Sequence, residues 1–383
     1  MPPHQHLAAE SKINALPLAD LFAKKDGGRV RSPEEWAAQS SYWLEQVVNL
    51  EYGGMPPAPE HVVIESRCHA RIRRWDDGSR LNSYSVRCHG GEWPIALGVK
   101  IYAPAGEGLF PTILYGDGCW HYLSDDMIRS VLGRGMALAV FDRTEMAEDL
   151  VYPDVVDKQK RSGGLYDVYP GKGFGAIAAW AWAYHRAVDL LTELSYIDAS
   201  KIAISGHSRG GKTTLLAGAT DPRIALVHDN ASGAGGSASF RYVGPGGETL
   251  NIVRDLYSWF GRGLDEYIGE PERLPFDQHC LLAAIAPRPL LHTYALDDHW
   301  SNQRGMVQCS RAVKQVYGFL DAAEDHAFHL REGGHFYAPE DLARLLEFID
   351  WRWFGREPES AFNTHPYGDL PEPFSWRAPK VDS

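Results

Sequence analysis

The segment that most constrains this chain is 201–219, in which a serine stands between two glycines. The apolar run at 202–204 predicts a buried strand, and residues 213–219 predict a helix. Between them lies Gly-His-Ser-Arg-Gly, with the serine at position 208. A Gly-x-Ser-x-Gly turn between a strand and a helix lifts the serine hydroxyl to the helix N-terminus, where backbone N–H groups point outward. The segment therefore predicts an exposed nucleophile, with glycines where side chains would crowd the turn.

The same residues also fit a different motif. Residues 206–213 read Gly-x-x-x-x-Gly-Lys-Thr, the pattern of a phosphate-binding loop, and an apolar run ending in Asp229 follows as a Walker B strand would. Both motifs need a strand, a loop and a helix, so local context does not separate them. A hydrolase makes a further demand, because it needs an acid after one later strand and a histidine after the next.

Two later loops provide that acid and that base. Asp298 follows the predicted strand 289–295, and His335 follows the short predicted strand 328–330. A serine hydroxyl needs an imidazole to take its proton, and the imidazole needs a carboxylate to fix its tautomer and stabilise its charge. The chain order of nucleophile, acid and base is that of α/β-hydrolases. We therefore predict a catalytic triad of Ser208, Asp298 and His335.

Each of these residues has a simpler interpretation when taken alone. Asp298 would be a solvated turn acid and His335 a loop histidine beside glycines. Their joint occurrence at the expected places favours the triad. The neighbouring Asp297 is the alternative acid.

The order of predicted elements indicates the fold. Strands and helices alternate from 110 to 354, which predicts one parallel sheet rather than two domains. Residues 61–103 predict antiparallel strands ahead of it. We expect an α/β-hydrolase fold, a three-layer sandwich with a mostly parallel central sheet, at 61–355. Residues 1–60 predict an arm and a helix packed on this domain, and 356–383 a loosely packed tail.

Composition limits the partners of the chain. A formal charge of −12 over 383 residues argues against nucleic acid or an anionic membrane surface as the main partner. The apolar runs are shorter than the roughly 20 residues that a membrane helix needs. The first residues show neither a basic segment nor an apolar core, so no signal peptide is visible. This predicts a cytoplasmic protein, or a secreted or periplasmic one whose leader was trimmed, and the oligomeric state stays open.

Cysteines and histidines give no sign of a metal or a disulfide framework. The five cysteines are sparse and odd in number. Cys68 and Cys88 could bridge if they lie on paired strands of an exported protein. His326 and His329 are expected to be ordinary surface or loop histidines. We predict no metal and no cofactor.

Two cations adjoin the predicted nucleophile. The backbone N–H of Arg209 is the expected oxyanion donor, and its guanidinium could also reach the developing charge. Lys212, one helical turn further on, could bind an acidic or hydroxyl-rich substrate. The alternative is plain surface charge, and we favour function because the turn that exposes the serine also exposes these positions. Gly118 and Cys119 are either a second oxyanion donor or a simple glycine turn.

Residues 206–212, Gly-His-Ser-Arg-Gly-Gly-Lys, resemble the elbow of the glucuronoyl esterases, carbohydrate esterase family 15. Four other stretches agree with this family, at 176–182, 232–236, 277–279 and 286–289. The resemblance covers about residues 30 to 354. The arginine and the lysine distinguish this elbow from a generic Gly-x-Ser-x-Gly.

The resemblance implies an activity and a set of roles. This family cleaves the ester between a 4-O-methyl-glucuronic acid branch of xylan and a lignin alcohol. The resemblance implies that Ser208 is the nucleophile, that His335 is the base and that Arg209 stabilises the oxyanion. It also implies three contacts to the sugar, from Lys212, Glu248 and Trp300.

The sequence departs from the family pattern at two places. Many members carry the triad acid as Glu in a Glu-Ser-Gly-x-Gly-Gly run, where this chain has Ala231. Other members, mainly bacterial, have an acid after the seventh strand, and Asp298 matches that position. Residues 299–302 also differ from the usual Trp-Ala-Asp run. These departures leave a shift in substrate preference open.

Four hypotheses follow. The first is a serine esterase acting on glucuronate esters through an acyl-enzyme. The second is another carbohydrate esterase of the same fold, such as an acetyl esterase, which would have no use for the contacts of Lys212, Glu248 and Trp300. The third is a phosphate-loop nucleotide hydrolase, and it leaves the later acid and histidine unexplained. The fourth is an inactive binding protein, which a complete triad argues against.

Overall fold

The computed structural model describes residues 16–150, 160–368 and 370–380. Nine strands form one sheet in the described residues. They are β1 His61–Arg71, β2 Arg80–His89, β3 Ile95–Ala103, β4 Phe110–Tyr115, β5 Ala137–Phe141, β6 Ile197–His207, β7 Leu226–Asn230, β8 Leu290–Ala295 and β9 His326–Arg331. The helices are α1 Pro33–Glu51, α2 Asp125–Leu132, α3 Leu165–Val168, α4 Ala176–Glu193, α5 Arg209–Thr220, α6 Ile252–Asp255, α7 His279–Ala283, α8 Gln303–Phe319 and α9 Pro339–Phe354.

The sheet has the order β1-β2-β3-β5-β4-β6-β7-β8-β9. The strands from β5 to β9 in this order are mutually parallel. The first three are antiparallel to one another, and β3 is antiparallel to β5. The predicted mostly parallel sheet, with an antiparallel start, is confirmed. Because parallel strands end at the same edge, the loops after β6, β7, β8 and β9 meet there.

Helices cover both faces of the sheet and so make three layers. Successive strand residues point to opposite faces. Leu114 therefore belongs to the core cluster that includes residues of the helices α1, α4, α5, α7 and α8. Its neighbour Ile113 belongs to a second core cluster, which includes residues of α2 and α9. No helix in the described ranges is both long enough and apolar enough to cross a bilayer.

Residues 373–376 of the tail pack closely, so the expectation of a loosely packed tail was wrong for this segment, whereas most of residues 356–368 are exposed. Phe374 is buried, and its ring stacks on Trp376 at 4.1 Å. Trp376 Nε1 donates to the carbonyl of Leu18, and Leu18 N donates to the carbonyl of Pro373. These aromatic side chains bury apolar surface against the N-terminal arm, which proline content alone did not reveal.

Two expectations about single residues were also wrong. The register of β1 and β2 places Cys88 opposite Val62 and Cys68 opposite Ser83, so the two thiols do not face each other. His326 is the first residue of β9 and is buried, its ring 5.3 Å from the ring of His292. The strand begins two residues earlier than the apolar run suggested, and this takes His326 into the core.

Candidate active site

A tight turn between β6 and α5 presents Ser208. The serine has φ +57° and ψ −119°, a strained backbone conformation for a residue with a side chain. A Cβ on Gly206 would lie 2.5 Å from the carbonyl oxygen of Gly210. A Cβ on Gly210 would lie 2.3 Å from both carboxylate oxygens of Asp117. Ser208 N donates to the carbonyl of Asn230 at 2.7 Å, which fixes the turn against β7.

The structure brings the three predicted triad residues together. His335 Nε2 lies 3.0 Å from Ser208 Oγ, and His335 Nδ1 lies 2.7 Å from Asp298 Oδ2. With Nδ1 donating to the carboxylate, Nε2 presents its lone pair to the hydroxyl. The imidazole is a quarter exposed, whereas the carboxylate is buried. The arrangement can therefore take a proton from Ser208 and remain open to a substrate.

The carboxylate of Asp298 is held in its charged form. Burial by itself raises the pKa of this carboxyl, but hydrogen bonds from His335 and Ser301 outweigh it and bring the pKa below its usual value. Ser301 N contributes a long contact of 3.4 Å. Asp297, the alternative acid, is exposed.

His207 lies beside the base and was not singled out from the sequence. Its ring centroid is 4.7 Å from that of His335, and its Nδ1 is 2.5 Å from Asn230 Oδ1. Burial, together with the charge of His335, lowers the pKa of His207 to about 3. The residue therefore stays neutral and adds no positive charge beside the base. In the sequence, His207 occupies the second position of the Gly-x-Ser-x-Gly elbow, which the motif leaves unspecified.

Arg209 is the first residue of α5, so its backbone N–H is among those without an intrahelical partner. Its guanidinium lies between two indole rings, 5.0 Å from Trp120 and 5.1 Å from Trp259. Nη1 lies 3.1 Å from Asp149 Oδ2. The side chain is 20% exposed, so it can still meet a ligand.

The loop after β4 forms a 3₁₀ turn over Gly118–Trp120. A Cβ on Gly118 would lie 2.6 Å from the carbonyl oxygen of Phe141. Packing alone therefore explains why a glycine is needed at position 118. An oxyanion role for the N–H groups of Gly118 and Cys119 stays a prediction.

Lys212 is buried, so the expectation that the elbow exposes it was wrong. Its ammonium group donates to the carbonyl of Ser232, to the carbonyl of Ala234 at 2.7 Å, and to Glu248 Oε2 at 3.3 Å. Burial lowers the pKa of Lys212, and the nearby Glu248 opposes this. The helix turns this position inward, toward the loop that follows β7, and not toward solvent.

Glu248 and Trp300 lie beside this lysine. Glu248 Oε2 also accepts from Ala234 N at 3.0 Å, and Glu248 N donates to the carbonyl of Trp300 at 2.9 Å. The Trp300 ring is 5.2 Å from the ring of His335. The three predicted sugar contacts thus form one connected group next to the base.

The features that suggested a phosphate loop have other partners. Asp229, in the position of a Walker B acid, binds His292 Nδ1 and accepts from Ser232 Oγ at 2.5 Å and Ser237 Oγ at 2.9 Å. The ammonium group of Lys212 donates hydrogen bonds to the loop after β7, whereas the lysine of a phosphate-binding loop would project over the turn. This interpretation of the motif was therefore wrong. Among the residues with described positions, no group of acidic, histidine or cysteine side chains could hold a metal ion.

A family model described as "Glucuronyl esterase, fungi" matches residues 86–321, more than half of the chain. The chain belongs to the glucuronyl esterase family. Among the relatives in this family, the 4-O-methyl-glucuronoyl methylesterase of Schizophyllum commune is 29% identical over 329 residues, covering 83% of this chain and 77% of that protein. The resemblance inferred from the elbow is thereby confirmed, and with it the assignment to the carboxylic ester hydrolases.

Solved structures of glucuronyl esterases share the fold. The carbohydrate esterase family 15 glucuronoyl esterase of Caldicellulosiruptor kristjansonii superposes with a TM-score of 0.81 at 27% identity, covering 97% of this chain and 98% of the other. The glucuronoyl esterase of Sporotrichum thermophile, a serine-to-alanine mutant in complex with methyl 4-O-methyl-β-D-glucopyranuronate, gives a TM-score of 0.75 at 23% identity, covering 91% and 90%. The predicted α/β-hydrolase fold is confirmed.

Proposed function

We propose that this protein is a serine esterase that hydrolyses esters of 4-O-methyl-glucuronic acid through an acyl-enzyme. One observation carries the proposal: the hydrogen-bonded chain from Ser208 through His335 to Asp298 lies directly beside the connected group of Lys212, Glu248 and Trp300. The name of the Schizophyllum commune relative and the ligand of the Sporotrichum thermophile structure support 4-O-methyl-glucuronic acid as the acid half of the ester.

The acylation half of the reaction follows from the triad. His335 Nε2 takes the proton of Ser208 as Oγ attacks the ester carbonyl carbon, and Asp298 stabilises the imidazolium that forms. The carbonyl oxygen becomes an oxyanion, which the backbone N–H and the guanidinium of Arg209 stabilise. The intermediate then collapses, the C–O bond to the alcohol breaks, and His335 returns the proton to the departing oxygen.

Deacylation uses the same residues in the same order. A water molecule takes the place of the alcohol, and His335 removes its proton as it attacks the acyl carbon. The second tetrahedral intermediate expels Ser208 Oγ, which regains its proton from the imidazolium. The products are the free uronate and the resting enzyme.

We propose that the uronate ring lies over Trp300, Glu248 and Lys212. An ammonium group has only three N–H donors, and here all three have partners in the protein. Lys212 can therefore donate to a sugar hydroxyl only by releasing a partner. Its 3.3 Å contact with Glu248 is the longest, so this is the contact that a hydroxyl would share or replace.

The decisive test compares hydrolysis of benzyl glucuronate with that of p-nitrophenyl acetate by the wild type, Ser208→Ala and the surface control Ser200→Ala. We expect wild type and Ser200→Ala to cleave the glucuronate ester and Ser208→Ala to have lost this activity. Activity on acetate alone would refute the uronate substrate and favour an acetyl esterase. Full activity in Ser208→Ala would refute the nucleophile.

A further inference from the structure

We propose that Asp149 is a positioning residue that holds the guanidinium of Arg209 at the oxyanion formed on Ser208. The inference rests on the oxyanion role proposed above for Arg209. Asp149 lies in the segment between β5 and α3.

Asp149 is held by Trp259 and in turn holds Arg209, and we call this arrangement of Asp149 and Trp259 the clamp. Its Oδ2 lies 3.1 Å from Arg209 Nη1, and its Oδ1 accepts a hydrogen bond from Trp259 Nε1 at 3.1 Å. The carboxylate is only 5% exposed. The indole N–H therefore fixes one oxygen while the other faces the arginine. Trp259 also presents its ring to the same guanidinium, so one residue orients both partners.

A second arginine ties this clamp to the elbow. Arg143 Nη2 lies 3.4 Å from Asp149 Oδ2, and Arg143 Nε donates to Asp117 Oδ1 at 2.8 Å. The other oxygen of Asp117 accepts from the backbone N–H of His207 at 2.8 Å. Three ion pairs and one backbone hydrogen bond thus connect the Arg209 guanidinium to His207, the residue before the nucleophile.

The buried position of Arg143 makes this path rigid. Its side chain is 1% exposed and stacks on the Trp180 ring at 4.0 Å. Buried charges of this kind persist only when they are paired in good geometry, and here two carboxylates face two arginines. The path therefore has few alternative conformations.

Arg209 needs such a restraint because arginine is long and rotamer-rich. The rings of Trp120 and Trp259 limit where the guanidinium can lie but not its rotation in its own plane. A charged hydrogen bond from Asp149 fixes that rotation. Donors stabilise an oxyanion best when they are already in place before the charge develops. We infer that Asp149 supplies this preorganisation.

The first test is a double-mutant cycle on benzyl glucuronate with Asp149→Asn, Arg209→Ala and the double variant. We expect Asp149→Asn to lower kcat about ten- to hundred-fold with little change in KM, and Arg209→Ala to lower it about 10²–10³-fold. The double variant should be no slower than Arg209→Ala alone. Losses that multiply in the double variant would overturn the proposal. Asp198→Asn, which removes the partner of the surface residue Lys201, is the matched control and should leave kcat unchanged.

The second test asks whether added guanidinium can replace the missing side chain. Millimolar guanidinium chloride should restore part of the activity of Arg209→Ala, because Asp149, Trp120 and Trp259 still form its binding site. The same addition should not restore Asp149→Asn/Arg209→Ala. Equal rescue of both variants would overturn the proposal, since a merely structural carboxylate would have no bearing on where guanidinium binds.

A third variant guards against misfolding of Asp149→Asn. Trp259→Phe keeps an aromatic ring against Arg209 but removes the indole N–H that orients Asp149. Introduced alone, Trp259→Phe should lower kcat several-fold. Added to Arg209→Ala, it should leave the kcat of that variant unchanged. An equal loss in both backgrounds would contradict the clamp.

Parallel assays on p-nitrophenyl acetate separate this inference from the proposed substrate. Acetate hydrolysis needs the oxyanion site but no uronate contacts. If the wild type cleaves acetate and not the glucuronate, the substrate proposal fails, and the same cycle on acetate supports or overturns the clamp. If Arg209→Ala leaves kcat unchanged on both esters, the clamp fails with the oxyanion role.

Discussion

The carboxylate of Asp298 lies 2.7 Å from His335 Nδ1, joining the loops that follow the neighbouring parallel strands β8 and β9. We expect Asp298→Asn to lower kcat about 10³–10⁴-fold with little change in KM, because an amide favours the wrong imidazole tautomer. The adjacent Asp297→Asn is the control and should stay within about twofold of the wild type, because its carboxylate is exposed and Asp298 is the residue bonded to His335 Nδ1. Equal losses in the two variants, measured on benzyl glucuronate, would rule out Asp298 as the triad acid.

Gly210→Ala should damage both stability and activity. The added Cβ would lie 2.3 Å from the carboxylate of Asp117, which also holds Arg143 and the backbone of His207. Overpacking of this kind typically costs about 1–3 kcal/mol. Gly318→Ala is the matched control, since a Cβ there meets nothing within 4 Å and the position is helical. That control should be neutral or more stable by up to about 1 kcal/mol in urea unfolding.

Lys212→Met should lower the free energy of unfolding by about 3–5 kcal/mol, because it leaves the buried carboxylate of Glu248 without its cation. The double variant Lys212→Met/Glu248→Gln should recover part of this loss. Lys201→Met is the control at a partly exposed ion pair, where the loss should stay below about 1 kcal/mol. If urea unfolding shows additive losses in the double variant, the coupling of Lys212 and Glu248 is refuted.

Glu51 should make stability depend on pH in the opposite sense to a carboxylate whose pKa is lowered by folding. It ends α1 with Gln278 Nε2 2.8 Å from its Oε2, and burial raises the pKa of Glu51 from 4.5 to about 8. Between these values the folded chain keeps a proton that the unfolded chain loses. The contribution of Glu51 to the free energy of unfolding is therefore fully present below pH 4.5. It is lost as pH rises to about 8, at up to ~1.4 kcal/mol per pH unit.

Glu51→Gln removes this titration. The difference in unfolding free energy between Glu51→Gln and the wild type should increase steadily from pH 5 to pH 8. The exposed residue Glu272, changed to Gln, serves as the control, and its difference should stay nearly constant. A flat difference for Glu51→Gln over this range, measured by urea unfolding at each pH, would show that the carboxyl does not titrate there.

The sequence was sufficient to predict the sheet, the elbow and the partners of the nucleophile. Strand ends of a parallel sheet meet at one edge, so Asp298 and His335 could be located from the strands that precede them. The need for a glycine at position 206 follows from local sterics, because a Cβ there would meet the carbonyl oxygen of Gly210. These features depend on short stretches of chain and on one general property of the fold.

Burial of polar side chains was not predictable in this way. Lys212 lies one helical turn beyond Ser208, but whether it points outward depends on the loop after β7, which is distant in sequence. The clamp on Arg209 is harder still, since Asp149 and Trp259 are 60 and 50 residues from it along the chain. Single-sequence patterns report periodicity within an element and say little about which loops meet.

The strained backbone of Ser208 has a consequence for engineering. A residue with a side chain at φ +57° is held there against its own preference, whereas glycine adopts that conformation readily. Selection for thermostability alone would therefore favour replacing the nucleophile, since it is among the positions where the fold has most to gain from glycine. A directed-evolution campaign on this scaffold must couple its stability screen to ester turnover in every round, or it will enrich robust proteins that no longer react.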